Sequence, residues 1–201
     1  MRCKKLALRV LSTAAFLSIV TTCAAPAFAD AYGIAVYGNY DLANGSITIE
    51  YKNGGYYVKQ EGTKANGTKA EEDGQVTVSG GSAENPTSNT ITIINNQEGS
   101  KAYTDSDRKR DDERDTSAKV TLDNVNINAS GKDEAGMSVE GTGDVTIEIG
   151  NYNSGVNRIT SGGSHAGIEK TGSGTLVIRD DVSQGNGYLE VTGGAGAAGI
   201  G

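Results

Sequence analysis

Two adjacent acids, Asp180 and Asp181, follow the apolar run Leu176-Val177-Ile178. Paired carboxylates are the usual means of cleaving a glycosidic bond by acid–base chemistry, but they must face each other across the bond. The matching positions behind the similar run Val145-Thr146-Ile147 hold Ile149 and Gly150, so no further acid stands beside the pair, and it reads as a solvated turn. His165, the single histidine, lies in the loop-like Gly162-Gly163-Ser164-His165-Ala166-Gly167, with Ala197 in its place further on. Nucleophilic catalysis would need Ser161 or Ser164 to face a base that an acid orients. The sequence offers no such set, and His165 reads as an exposed loop residue. The run from Asp105 to Asp115 holds six acids and four bases. A calcium loop of the EF-hand type places oxygen ligands at alternate positions and then a glycine. Lys109 interrupts that order and the glycine is missing, so the stretch reads as a solvated insertion. The remaining candidates are aromatic: Tyr32, Tyr37, Tyr40, Tyr51, Tyr56 and Tyr57, six of the nine tyrosines. Their rings could stack on sugars, or they could cover the first strands of the fold. No catalytic, cofactor-binding or metal-binding set emerges.

The elements that must position these residues are short and alternating. Ile47-Thr48-Ile49-Glu50-Tyr51, Val76-Thr77-Val78, Ile91-Thr92-Ile93, Val120-Thr121-Leu122, Val125-Asn126-Ile127, Val145-Thr146-Ile147-Glu148-Ile149 and Leu176-Val177-Ile178 share a period of two. With β-branched residues and flanking Gly or Asn, that is the strand pattern. Internal repetition is clearest towards the C-terminus. Ala135-Gly136-Met137 returns as Ala166-Gly167-Ile168, Gly141-Thr142-Gly143 as Gly172-Ser173-Gly174, Val145-Thr146-Ile147 as Leu176-Val177-Ile178, and Gly162-Gly163 as Gly193-Gly194. All four returns share one interval, that from Ala135 to Ala166. Ala198-Gly199-Ile200 opens a third copy, shifted by one residue. Each unit holds three strand candidates, in the first copy Met137 to Glu140, Asp144 to Ile149 and Val156 to Thr160. Three short strands with glycine corners match one rung of a parallel β-helix.

The expected fold class is therefore all-β, a right-handed parallel β-helix with rungs of about 31 residues; a β-sandwich is the alternative. Stacked rungs would place Val145 over Leu176 and Ile147 over Ile178, facing inward. In the third strand, Val156 and Ile159 do not align with Leu189 and Val191 at the same spacing, which implies a bulge or a register change.

The start of the chain carries Arg2, Lys4, Lys5 and Arg9 without an acid, then an apolar run from Leu6 to Val20, then Ala27-Phe28-Ala29 before Asp30. A basic start, a short apolar run and Ala-x-Ala form a cleavable secretory signal, so residues 1–29 are expected to leave and the mature chain to start at Asp30. A retained membrane helix would need about 20 apolar residues, and Ser12, Thr13, Ser18, Thr21 and Thr22 interrupt this run. A lipid anchor at Cys23 would want a small residue just before it, where Val20-Thr21-Thr22 stands. Cleavage removes 4 of the 18 basic residues and none of the 25 acids, leaving a net charge of −11. Nucleic acid and anionic membranes, which want a basic face, are poor partners for such a chain. Both cysteines, Cys3 and Cys23, leave with the signal, so no disulfide is expected in the mature fold. Residues 30–60 are expected to form an N-terminal cap with the first strands, and 61–201 the repeat region with a charged insertion at 97–117.

The succession Tyr32-Gly33-Ile34-Ala35-Val36, Val120-Thr121-Leu122-Asp123-Asn124-Val125-Asn126-Ile127, Gly143-Asp144-Val145-Thr146-Ile147 and Gly172-Ser173-Gly174-Thr175-Leu176-Val177-Ile178 resembles the repetitive adhesin-like or carbohydrate-binding-domain surface proteins of Gram-positive anaerobic bacteria. Those look like pectate-lyase-type parallel β-helices. The resemblance runs from about Tyr32 to Gly201 and implies a secreted, cell-surface location without naming site residues. The expected function is a non-enzymatic surface segment that binds a glycan or another surface polymer. The alternative is a fragment of a polysaccharide-degrading β-helix. Because the sequence stops as a third copy opens, it reads as truncated, with self-association through an uncapped last rung as a further expectation.

Overall fold

A computed structural model describes residues 38–62, 68–70, 76–102, 115–150, 155–180 and 186–201. The signal-like segment 1–29, Tyr32, Tyr37, Asp181 and the charged run from Asp105 to Arg114 lie outside the described residues. Among those described, no helix is long and apolar enough to cross a membrane.

The fold is all-β, with parallel and mixed sheets, none of them closed. It begins with β1 (Gly38–Asp41), a 3-10 turn at Leu42–Asn44, and β2 (Ile47–Lys52). β2 turns into β3 (Gly55–Gln60), which pairs with β4 (Thr68–Ala70). There follow β5 (Val76–Gly80), β6 (Ile91–Asn95), β7 (Ala118–Asn128), β8 (Met137–Glu140), β9 (Val145–Ile149), β10 (Asn157–Thr160), β11 (Ile168–Lys170), β12 (Leu176–Asp180) and β13 (Leu189–Thr192). All pairings are parallel except β2 with β3 and β3 with β4.

Parallel strands cannot be joined by tight turns, so each ladder is filled by strands distant in sequence. One ladder runs β1-β5-β7-β9-β12, a second runs β7-β10-β13, and the third runs β2-β6-β8-β11. Going along the chain, β9, β10 and β11 visit the three in turn, and β12 and β13 repeat the visit, with Ile200 bridging to Ile168. β7 serves two ladders because it bends: its register slips between its partners Val78 and Gly80, and Asn124 takes a φ of 57°. Asparagine tolerates that left-handed conformation better than most residues.

The constant interval of the sequence repeat is a hydrogen-bonded register. Leu176 pairs with Val145, Ile178 with Ile147, and Ile168 with Met137. In the third strand Ile159 pairs with Val191 and Asn157 with Leu189, one residue further apart. The extra residue lies between β12 and β13, and the third strand keeps its pairing across that offset. Corners repeat as well: Gly141 and Gly172 both have positive φ, 99° and 93°, and a Cβ on Gly172 would run into the carbonyl oxygen of Gly141. Only glycine fits that approach.

Inward positions form columns. Val76, Val120 and Ile147 in one, and Ile47, Ile91, Met137 and Ile168 in another, are essentially inaccessible to solvent. Leu176 and Ile178 continue this packing but are only half-buried, as are Leu189 and Val191. Their strands have a paired neighbour on one side only among the described residues, so one flank of each side chain remains wet.

Candidate functional site

β9 departs from alternation: all five of its residues are buried, including outward-facing Thr146 and Glu148. What covers them is a polar cluster at the foot of the charged insertion. Glu148 pairs in register with Arg179, whose guanidinium lies 2.7 Å from Glu148 Oε1 and 3.5 Å from Asp115 Oδ2. Lys119 Nζ is 3.7 Å from the same Asp115 oxygen. The other oxygen of Asp115 accepts from Ser117 Oγ at 2.6 Å, and that hydroxyl also meets Thr146 Oγ1 at 2.6 Å. Side chains of Arg179, Asp115 and Glu148 are 14, 14 and 7 % exposed, so the charges face one another largely out of water. The cluster ties β7, β9 and β12 together.

The insertion's two ends are pinned together. Thr116 N donates to Lys101 O and Lys101 N to Thr116 Oγ1, both at 2.9 Å. Asp144 anchors the incoming end: its Oδ2 accepts from Ala102 N at 3.0 Å, its N donates to Ser100 Oγ at 2.8 Å, and its Oδ1 accepts from Thr175 N. Buried Asn95 donates to Asp144 O at 2.7 Å and accepts from Gln97 N. Beside this foot, Tyr51, Gly54, Gln97, Glu98, Gly99, Ser100 and Thr116 enclose an open polar cleft of about 290 Å³.

The tyrosines divide by burial. Tyr51 and Tyr56, paired across β2 and β3, are 8 and 2 % exposed, their ring centroids 4.9 Å apart. Tyr56 Oη accepts from Lys119 N, and burial pushes its phenol well above the usual range. These two rings pack mainly against the core. Tyr40 is half-buried against the core, with its phenol also raised by burial, and Tyr57 is half-buried with Lys52 Nζ 4.5 Å from its ring centroid. Tyr188, outside the expected group, is half exposed.

The other candidates lie apart. Asp180 Oδ1 accepts from Gly187 N at 2.9 Å, and Asp180 pairs with Ile149 across the ladder. His165 Nδ1 is 2.7 Å from Glu169 Oε2, and its Nε2 is 3.8 Å from Asp133. Buried Ser161 bonds to Gly136 N and to Ala166 O, so its hydroxyl is engaged by the backbone. The sequence pattern does not single out Glu169, Glu148 or Arg179, and it meets Asp115 only as the end of the charged run. For Glu148 and Arg179 a signal is nevertheless present, since they stand one repeat apart at outward positions. Among the described residues no group of three or more His, Cys, Asp and Glu side chains is arranged to hold a metal ion. Comparison of the chain with known protein families, with characterised proteins and with solved structures finds no match in any of the three.

Proposed function

We propose that this chain is an extracellular, non-enzymatic parallel β-helix segment of an adhesin-like surface protein, and that it binds a glycan or another surface polymer. The carrying observation is the set of parallel ladders whose partners stand one repeat apart, visited in turn by successive strands. β-Sandwiches are built from antiparallel sheets, so this pairing favours the solenoid. Stacked rungs make rows of like side chains along each outer face. Thr48, Thr92 and Ser138 form one such row, and Asn128, Thr160 and Thr192 another. Rows of hydroxyl and amide groups suit an extended, hydroxyl-rich polymer. Export follows from the basic start and Ala-x-Ala site, and a mature charge of −11 favours a neutral polymer over an anionic one. The coil is taken as right-handed because crossovers between parallel strands of one sheet are right-handed in nearly all cases.

The test is co-sedimentation of the secreted chain with insoluble neutral and acidic polysaccharides, with assay for new reducing or unsaturated ends. Binding without product supports the proposal; binding to no polymer overturns it. One observation favours the alternative, a polysaccharide-degrading helix: Glu148, Arg179, Asp115 and Lys119 bring acids and bases of adjacent strands onto one face. Turnover that disappears in Glu148→Gln would establish that alternative.

A further inference from the structure

We infer that the cleft beside the insertion foot is a subsite for a single uncharged pyranose ring, an inference that rests on the glycan-binding reading above. The cleft's volume of about 290 Å³ stands at the small end of ligand sites, which suits one sugar ring rather than several. Its shape comes from two turns. Asn53-Gly54 forms the two-residue hairpin between β2 and β3, with φ of 52° and 70°, and Gln97–Ser100 is a turn closed by Ser100 N to Gln97 O, with Gly99 at φ 77°. A Cβ on Gly99 would meet nothing within 4 Å, so the wall there is open to a ligand.

The polar groups of the lining complement sugar hydroxyls, which both donate and accept. Ser100 Oγ already accepts from Asp144 N and from Asn95 Nδ2, and Thr116 Oγ1 accepts from Lys101 N. Ser100 Oγ thus has both acceptor sites filled and its O–H left to donate, whereas Thr116 Oγ1 keeps one acceptor site beside its O–H. Glu98 supplies an exposed carboxylate, which only accepts, and Gln97 an amide that does both. Among the described residues the lining contains one acid and no base, which disfavours uronate, sulfate and phosphate groups. The pinning of Lys101 to Thr116 holds the donors before any ligand arrives, so little ordering is lost on binding.

The experiment uses amide-resolved NMR of the full chain titrated with methyl glycosides of glucose, galactose, mannose and glucuronic acid, alongside polymer co-sedimentation. A neutral glycoside should shift Gly54, Gly99 and Ser100 with millimolar affinity, and the glucuronide should not. Gln97→Ala with Glu98→Ala, both in a surface turn, should weaken that binding at least tenfold and leave the melting temperature unchanged. Shifts confined to other residues, or full affinity in the double variant, would overturn the subsite while polymer binding still stood. Absence of polymer binding as well as of shifts would instead remove the glycan-binding reading and the subsite with it.

Discussion

Ile147 and Ile178 are the same residue type in the same column, paired in register, yet their surroundings differ. Ile147 is inaccessible to solvent and lies between Val120 and Ile178, whereas Ile178 is half-buried with a paired strand on one side. Truncating a buried isoleucine to alanine removes three carbons and leaves a cavity, at a cost of roughly 2–5 kcal/mol. The inner position should sit in the middle of that range, at about 3 kcal/mol. At the outer position part of the side chain is already hydrated and the void can fill with water, so about half that loss is expected. In a domain of this size each kcal/mol moves the melting temperature by about 2–4 °C. Ile147→Ala should therefore melt about 9 °C below the parent and Ile178→Ala about 4 °C below it, followed by circular dichroism at low protein concentration. Equal losses at low concentration, or a larger loss at Ile178, would refute the assignment of inner and outer strands.

Three further outcomes follow from the same geometry. Arg179→Met leaves Glu148 and Asp115 mostly buried with one base fewer, and should cost about 3 kcal/mol in urea unfolding; Arg158→Met, whose partner Glu190 is exposed, should cost under about 1 kcal/mol. Burial raises the phenols of Tyr56 and Tyr40, so above about pH 10 the unfolded chain gives up protons that the folded chain keeps. Stability present in full below about pH 10 should then fall as pH rises, and Tyr56→Phe should flatten the fall; a profile unchanged by that variant would contradict it. N-terminal sequencing of secreted material should read Asp30-Ala31-Tyr32, and a lipid-bearing start at Cys23 would exclude the assigned cleavage site.

Inward residues are the most readable part of the chain. Val145 with Leu176 and Ile147 with Ile178 follow from apolar periodicity alone, because burial selects the same residue type at each return. The one-residue offset at Ile159 and Val191 shows in the sequence as a failed alignment, yet the two strands pair in register across it. Outward positions are read poorly, since solvent normally imposes no pairing there. Glu148 and Arg179 are covered by the insertion foot, and only in three dimensions does their spacing become an ion pair. Tyr51 and Tyr56 are legible as aromatics near the first strands. Their tilted ring contact depends on the antiparallel hairpin that Asn53-Gly54 closes, a turn signal that strand alternation by itself does not carry.

We propose that the parallel ladders are stacked, interchangeable turns, and deletion of one turn tests this most directly. Removing residues 145–175 joins Asp144 to Leu176 and puts Leu176, Ile178 and Val191 where Val145, Ile147 and Ile159 stood against β7. In a solenoid each turn contacts only its neighbours, so the shortened chain should still fold, with a β-type circular dichroism spectrum and a cooperative melt at lower temperature. A deleted chain that is unfolded at low temperature, or that melts without cooperativity, would contradict the stacked-turn account.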